Sequence, residues 1–124
     1  MTTSTASGSI EIDVPVGDVF ALVSDLGRFM RVVPSIDRVV IRNVDTSEDG
    51  ATFYTWTAGS AMGPFRGRMR GTSTREQVAA NKRVVYRHAM GLRTVEEFDL
   101  EPTETGTRLL FTVSVRSPIP GLDR

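Results

Sequence analysis

The chain has 124 residues, which is the size of one domain and too short for two independent cores. Its 15 basic and 15 acidic residues cancel, so its charge gives no reason to expect a nucleic-acid partner. It has no cysteine and one histidine, which excludes disulfides, thiol nucleophiles and any zinc site that needs two histidines. We therefore expect one globular domain without a metal or other cofactor.

The seven residues after the initiator methionine are small or polar, and we expect 1–8 to form a flexible N-terminal segment ahead of a domain spanning 9–124. They contain neither the basic nor the apolar region of a secretory signal. The longest unbroken apolar run, 19–23, has five residues, whereas a membrane-spanning helix needs about 20. The sequence therefore predicts a soluble, cytoplasmic protein with no stable membrane insertion.

Hydrophobic spacing predicts a strand followed by two short helices. Apolar and polar residues alternate over 10–14, as in a half-buried strand. Apolar residues then recur at helical spacing from Pro15, and Gly27 is expected to mark the end of that helix. A second helix is predicted over 28–33, before a proline that stops it.

The rest of the chain is rich in β-branched and aromatic residues and is divided by turn signals. The predicted strands are 36–44, 51–58, 65–74, 83–90, 92–101 and 107–116. One strand, two helices and six strands indicate an α+β fold with an antiparallel meander.

Side-chain alternation predicts the buried face of each strand. Arg66, Arg68 and Arg70 alternate with apolar and glycine positions, so this stripe is expected to face water. Recruitment of an acidic partner or a membrane surface is the alternative role for these arginines. Gly67 and Gly71, on the opposite face, leave room for a neighbouring side chain or for a ligand.

Three polar residues are predicted on inner faces of the next two strands. Tyr86 and His88 point inward from one strand, with Val85 outward, and Glu96 is a carboxylate on the otherwise apolar face of the other. The three side chains converge if the turn at Gly91 keeps the register, because a slip of one residue reverses one set.

Two segments carry a resemblance to a known superfamily. SIEIDVPVGDVFALVSDLGRFMRVVPSI (9–36) and GTRLLFTVSVR (106–116) resemble the opening and closing parts of the START-like (SRPBCC) superfamily, which includes polyketide cyclase/dehydrases and lipid-transfer proteins. The resemblance implies a helix-grip fold, in which a curved antiparallel sheet of about seven strands grips a long C-terminal helix around a ligand cavity. The chain departs from that pattern at SPIPGLDR, so we expect the long helix to be absent or truncated.

Large apolar side chains on the inner faces are candidates for the cavity wall, although they would equally fill a core without a cavity. The candidate ligand-binding residues are Tyr54, Trp56, Phe65, Met69, Met90, Phe98 and Phe111.

His88, Glu96 and Tyr86 are the candidate catalytic residues, because an imidazole titrates near neutrality and a carboxylate can assist it. A hydrogen-bonded residue of the cavity wall is the alternative role for His88, and we prefer it. The sequence thus predicts binding of a hydrophobic small molecule, a lipid or a polyketide-like compound. A polyketide cyclase/dehydrase, using the same pocket for aldol cyclisation or dehydration, is the alternative function. A non-catalytic partner subunit of a larger complex is the third.

The inner face of the last strand needs a cover that two short helices cannot supply completely. This face presents Leu109, Phe111, Val113 and Val115. Either the natural chain continues into the missing helix, or two copies form a homodimer through the open sheet face. We prefer the first explanation.

Overall fold

The computed structural model describes residues 2–33, 36–62, 65–89 and 93–117, which form seven strands and two helices. The strands are β1 (Thr2–Ile12), β2 (Ile36–Thr46), β3 (Thr52–Met62), β4 (Phe65–Ala79), β5 (Arg83–Ala89), β6 (Arg93–Pro102) and β7 (Thr107–Ser117), and the helices are α1 (Val16–Val23) and α2 (Leu26–Arg31). Both helices follow β1, so the predicted order of one strand, two helices and six strands is confirmed.

All seven strands form one antiparallel sheet in the order β1-β7-β6-β5-β4-β3-β2. The strands from β2 to β7 therefore form a meander, and β1 extends it by pairing with β7. Register shifts in β2 and β4, the latter between Arg75 and Gln77, interrupt the regular pairing. Bulges of this kind bend strands and increase their twist, which favours the curved sheet of the predicted helix-grip fold.

The hydrophobic core lies between the two helices and the inner face of the sheet. Val19 and Val23 of α1 and Leu26 and Met30 of α2 are buried. Their sheet partners in the core are Val39, Tyr54, Trp56, Ala58, Val84, Tyr86, Phe98, Leu100 and Leu109. The helices are thus held by apolar contacts with an aromatic-rich sheet face.

The boundary between the two helices differs from the sequence prediction. Helix α1 ends at Val23, and Gly27 lies inside α2 instead of ending the first helix. Asp25 is the N-cap of α2, since its carboxylate accepts a hydrogen bond from the backbone N–H of Arg28 at 3.2 Å. An aspartate that satisfies a free N–H at a helix start is a stronger signal than one glycine, so the second helix begins two residues earlier than predicted.

Strand β1 begins at Thr2, although residues 2–8 were expected to be flexible. They pair with β7 residue by residue, and the hydroxyl groups of Thr5 and Ser114 lie 3.2 Å apart. This segment pairs through its backbone N–H and C=O groups, but its serine and threonine residues show no alternation of apolar and polar side chains. The sequence pattern therefore did not predict this half of the strand. The turn predicted at Gly91 lies outside the described residues.

Inner and outer faces follow the predicted alternation only in part, because Ile10 is 50% exposed in the segment 10–14 that was predicted to be half-buried. Arg68 and Arg70 are exposed, as expected, but Val85 is only 3% exposed on the face predicted to meet water. It lies in a central strand and pairs with Glu97 of the neighbouring β6. A short side chain in the middle of a sheet is covered by longer cross-strand neighbours.

The inner face of β7 is buried at one end only. Leu109 is buried, whereas Phe111, Val113 and Val115 are half-buried. Within the described residues, which end at 117, no helix follows β7. None of the helices in this part of the chain is long and apolar enough to span a bilayer.

Candidate functional site

An apolar cleft of about 250 Å³ lies between α2 and the inner face of the sheet. Helix α2 and the chain that follows it form one wall, and strands β3 to β6 form the other. The lining residues are Leu26, Phe29, Met30, Val33, Ile36, Trp56, Met69, His88 and Glu96. His88 and Glu96 are the ionisable side chains among them, so the cleft combines an apolar wall with one polar corner.

His88 and Glu96 form a hydrogen-bonded pair in that corner. Tyr86 lies opposite Glu96 in the β5–β6 register and His88 lies opposite Thr94, which makes His88 and Glu96 diagonal neighbours. The distance from His88 Nε2 to Glu96 Oε1 is 2.7 Å. The His88 side chain is 8% exposed and that of Glu96 is 23% exposed, so the carboxylate is the more accessible of the two.

Ser73 joins this pair from β4, and the sequence analysis missed it. It lies opposite His88 in the β4–β5 register and is 1% exposed. Its Oγ is 2.6 Å from His88 Nδ1 and accepts a hydrogen bond from Trp56 Nε1 at 2.9 Å. The alternation of Gly67, Met69 and Gly71 would have placed Ser73 on the inner face, but a lone serine carries no chemical signal by itself.

Tyr86 does not present its hydroxyl to the cleft. The phenol donates a hydrogen bond of 2.7 Å to the backbone carbonyl of Val23 at the end of α1. Burial is the main cause that raises the pKa of Tyr86 far above its usual value. Its ring stacks on that of His88, with centroids 5.7 Å apart. The hydroxyl of Tyr86 thus helps to hold α1 on the sheet, and a role for Tyr86 in proton transfer stays a prediction.

The candidate ligand-binding residues divide between different environments. Trp56 and Met69 line the cleft. Phe98 lies behind it, with its ring edge-to-face against Phe29 at 5.2 Å between centroids. Phe111 lies over Gly8 of β1, where an added Cβ would come within 2.7 Å of its ring.

Tyr54 belongs to a second, more open cleft of about 650 Å³ on the other side of α2, which also contains Arg75. The side chain of Phe65 and the whole of Met90 lie outside the described part of the chain.

The sheet leaves free space at Gly67, which is exposed. A Cβ added to Gly67 would meet no atom within 4 Å. The prediction that this position leaves room is therefore confirmed. Among the described residues, no group of three or more histidine, aspartate or glutamate side chains is placed to hold a metal ion.

The chain belongs to the family described as polyketide cyclase / dehydrase and lipid transport, whose model matches residues 3–124. No curated protein shows significant sequence similarity to it.

Solved structures show the same fold at low sequence identity. The ZhuI aromatase/cyclase from Streptomyces sp. R1128 is 14% identical with a TM-score of 0.71, over 98% of this chain and 73% of that one. Protein CV1439 from Chromobacterium violaceum is 13% identical with a TM-score of 0.71, over 94% and 84% of the two chains. TTHA0849 from Thermus thermophilus is 22% identical with a TM-score of 0.67, over 97% and 77%. The likeness shows that the chain shares the fold of these proteins, which is the predicted helix-grip fold.

Proposed function

We propose that the chain binds a hydrophobic small molecule, a lipid or a polyketide-like compound, in the cleft between α2 and the sheet. The observation that carries this proposal is the composition of the cleft wall, where seven apolar side chains surround one histidine–glutamate pair. An apolar wall with few, well-placed polar groups is typical of small-molecule sites. The apolar body of the ligand lies against Phe29, Trp56 and Met69, and its polar end reaches Glu96.

The expected affinity is modest. A ligand that loses about 300 Å² of apolar surface gains roughly 7 kcal/mol at about 25 cal/mol per Å². Association removes several kcal/mol of that gain through lost translation and rotation. A dissociation constant in the micromolar range or weaker follows.

A titration with N-phenylnaphthylamine, a neutral apolar dye that fluoresces when bound, tests this proposal. Met69→Ala removes part of the cleft wall and should weaken dye binding about five-fold, the equivalent of about 1 kcal/mol. Arg68→Ala is the matched control, since Arg68 is the neighbouring residue on the same strand and is exposed on the other face. Equal affinities in the two variants would place the dye outside the cleft and contradict the proposal.

A second candidate function is aldol cyclisation or dehydration of a polyketide-like chain. The specific observation in its favour is the 2.7 Å contact between His88 and Glu96 at the cleft wall. In this reaction Glu96 takes a proton from a carbon beside a ligand carbonyl. The enolate forms a carbon–carbon bond to a second carbonyl carbon, whose oxygen takes the Nε2 proton of His88. The proton on Glu96 then returns to His88, and loss of the new hydroxyl with a neighbouring proton releases water.

Turnover of a linear diketone that can close a six-membered ring tests this second function. Glu96→Gln keeps the shape of the side chain but removes the base, so the rate of ring closure should fall about 10²- to 10⁴-fold. Binding of the neutral dye should stay nearly unchanged, because proton transfer contributes only in the transition state. An unchanged rate in Glu96→Gln would remove this pair from the reaction and leave the binding function alone.

A further inference from the structure

Four side chains from four neighbouring strands form a continuous hydrogen-bonded row beneath the cleft. Trp56 Nε1 is 2.9 Å from Ser73 Oγ, which is 2.6 Å from His88 Nδ1, and His88 Nε2 is 2.7 Å from Glu96 Oε1. Trp56 is 3% exposed, Ser73 1% and His88 8%, so the first three groups depend on one another rather than on water. We infer that Ser73 fixes His88 in the neutral tautomer that carries its proton on Nε2, and that Ser73 is therefore a positioning residue of this site.

The two ends of the row set the direction of its hydrogen bonds. The indole N–H of Trp56 can only donate, so Ser73 Oγ accepts there. The carboxylate of Glu96 accepts, so His88 Nε2 donates to it. A neutral imidazole has one donor and one acceptor nitrogen, which leaves Nδ1 as the acceptor of the Ser73 hydroxyl proton.

The opposite tautomer leaves one proton without a partner. If Nδ1 carried the proton, Ser73 Oγ would accept two hydrogen bonds, from His88 and from Trp56. Its own hydroxyl proton would then have no acceptor among the described residues. A buried donor without a partner is costly, so Ser73 opposes the Nδ1–H form independently of Glu96.

The tautomer determines what the cleft offers to a ligand. With Nε2–H directed at Glu96, the histidine supplies a proton and the carboxylate is the group that can accept one. This consequence rests on the proposed function of the cleft, whereas the tautomer is a property of the ligand-free protein. An experiment can therefore contradict the inferred tautomer of His88 without contradicting the proposed function of the cleft, and the reverse.

Nitrogen-15 NMR of histidine-labelled protein tests the inference directly. The chain has one histidine, so its two ring nitrogens give one pair of signals. At high pH, where the ring is neutral, we expect the wild type to show the Nε2–H form alone. A wild-type spectrum with the proton on Nδ1 would overturn the inference without the need for any variant.

Variants separate the effect of Ser73 from that of Glu96. Glu96→Gln removes the carboxylate, and Ser73 alone should keep the Nε2–H form predominant. Adding Ser73→Ala should give a mixture of both tautomers, while adding Ser73→Thr, which keeps the hydroxyl, should restore the Nε2–H form. Adding Thr74→Ala, on the same strand and the opposite face, is the matched control and should change nothing.

Two results with these variants would overturn the role of Ser73. One is loss of the Nε2–H form in Glu96→Gln alone, which would assign the tautomer to Glu96. The other is an unchanged tautomer when Ser73→Ala is added to Glu96→Gln. The indole N–H signal of Trp56, the chain's one tryptophan, provides a second readout, since its downfield shift should be lost when Ser73 is replaced by alanine.

Discussion

At the residue scale, Tyr86 has a structural role that its position beside His88 conceals. Its ring lies within the core, and its hydroxyl reaches across to the last carbonyl of α1, Val23, at 2.7 Å. Burial favours the neutral phenol and raises the pKa of Tyr86, and burial also raises the pKa of Tyr54. Folding is therefore linked to the protonation of two tyrosines.

The sign of this linkage predicts a loss of stability in alkali. An unfolded tyrosine ionises near pH 10, so above about pH 10 the unfolded chain binds fewer protons than the folded one and the free energy of unfolding falls. Tyr86→Phe should make the decline of the free energy of unfolding with pH shallower. The part of the decline that remains is due to Tyr54. Urea unfolding at a series of pH values from about 9 to 11 measures the slope. Identical slopes in the wild type and the variant would contradict this account of Tyr86.

The residue scale is also where sequence reasoning succeeded and failed for clear reasons. Glu96 could be identified because a carboxylate on an apolar strand face breaks an alternating pattern. Ser73 could not, because a small polar residue fits either face of a strand and its role depends on which side chains two neighbouring strands bring to it. The function of the Tyr86 hydroxyl was equally out of reach, since its partner is a helix carbonyl 63 positions away along the chain.

At the scale of elements, helix α2 is short and depends on its cap. It has six residues, and Asp25 accepts a hydrogen bond from the Arg28 N–H at its start. Leu26, Phe29 and Met30 of this helix line the cleft. The cap therefore contributes to the shape of the site as well as to the helix.

Replacing the capping residue Asp25 should lower both the stability of the protein and its affinity for the dye. We expect Asp25→Ala to lower the free energy of unfolding by about 1 kcal/mol, whereas Asp25→Ser, which keeps a side-chain acceptor, should lose much less. Urea unfolding of both variants, with dye titration of each, measures the two effects. An equal loss in both variants would indicate that the negative charge, rather than the cap, supports α2.

Hydrophobic periodicity predicts some of the helices and strands but not all of their boundaries. A period of two predicts which residues of β3 to β7 lie on the inner face of the sheet. The residue pairing between β5 and β6 can be predicted as well, provided that the turn between the two strands keeps them in the expected register. The first half of β1 has no apolar period, so it is detectable only through its pairing with β7. Likewise, the start of α2 depends on the hydrogen bond of Asp25, which spacing alone does not reveal.

At the scale of the whole molecule, the described residues cover the sheet only in part. Leu109 is buried, but Phe111, Val113 and Val115 of the same strand face are half-buried. A homodimer through this face stays a prediction of the sequence analysis. Light scattering tests it: a mass of two chains is expected for the dimer, and a mass of one chain would contradict it.

The central claim, that the cleft beneath α2 holds a hydrophobic ligand, is tested most directly by energy transfer from Trp56 to bound N-phenylnaphthylamine. Trp56 is the chain's one tryptophan and lines the cleft, so its emission reports on this site. We predict that the dye quenches Trp56 emission in a saturable way, with one dye bound per chain and the transferred energy appearing as dye fluorescence. Dye that binds without changing the emission of Trp56 would lie elsewhere on the molecule and would contradict the account.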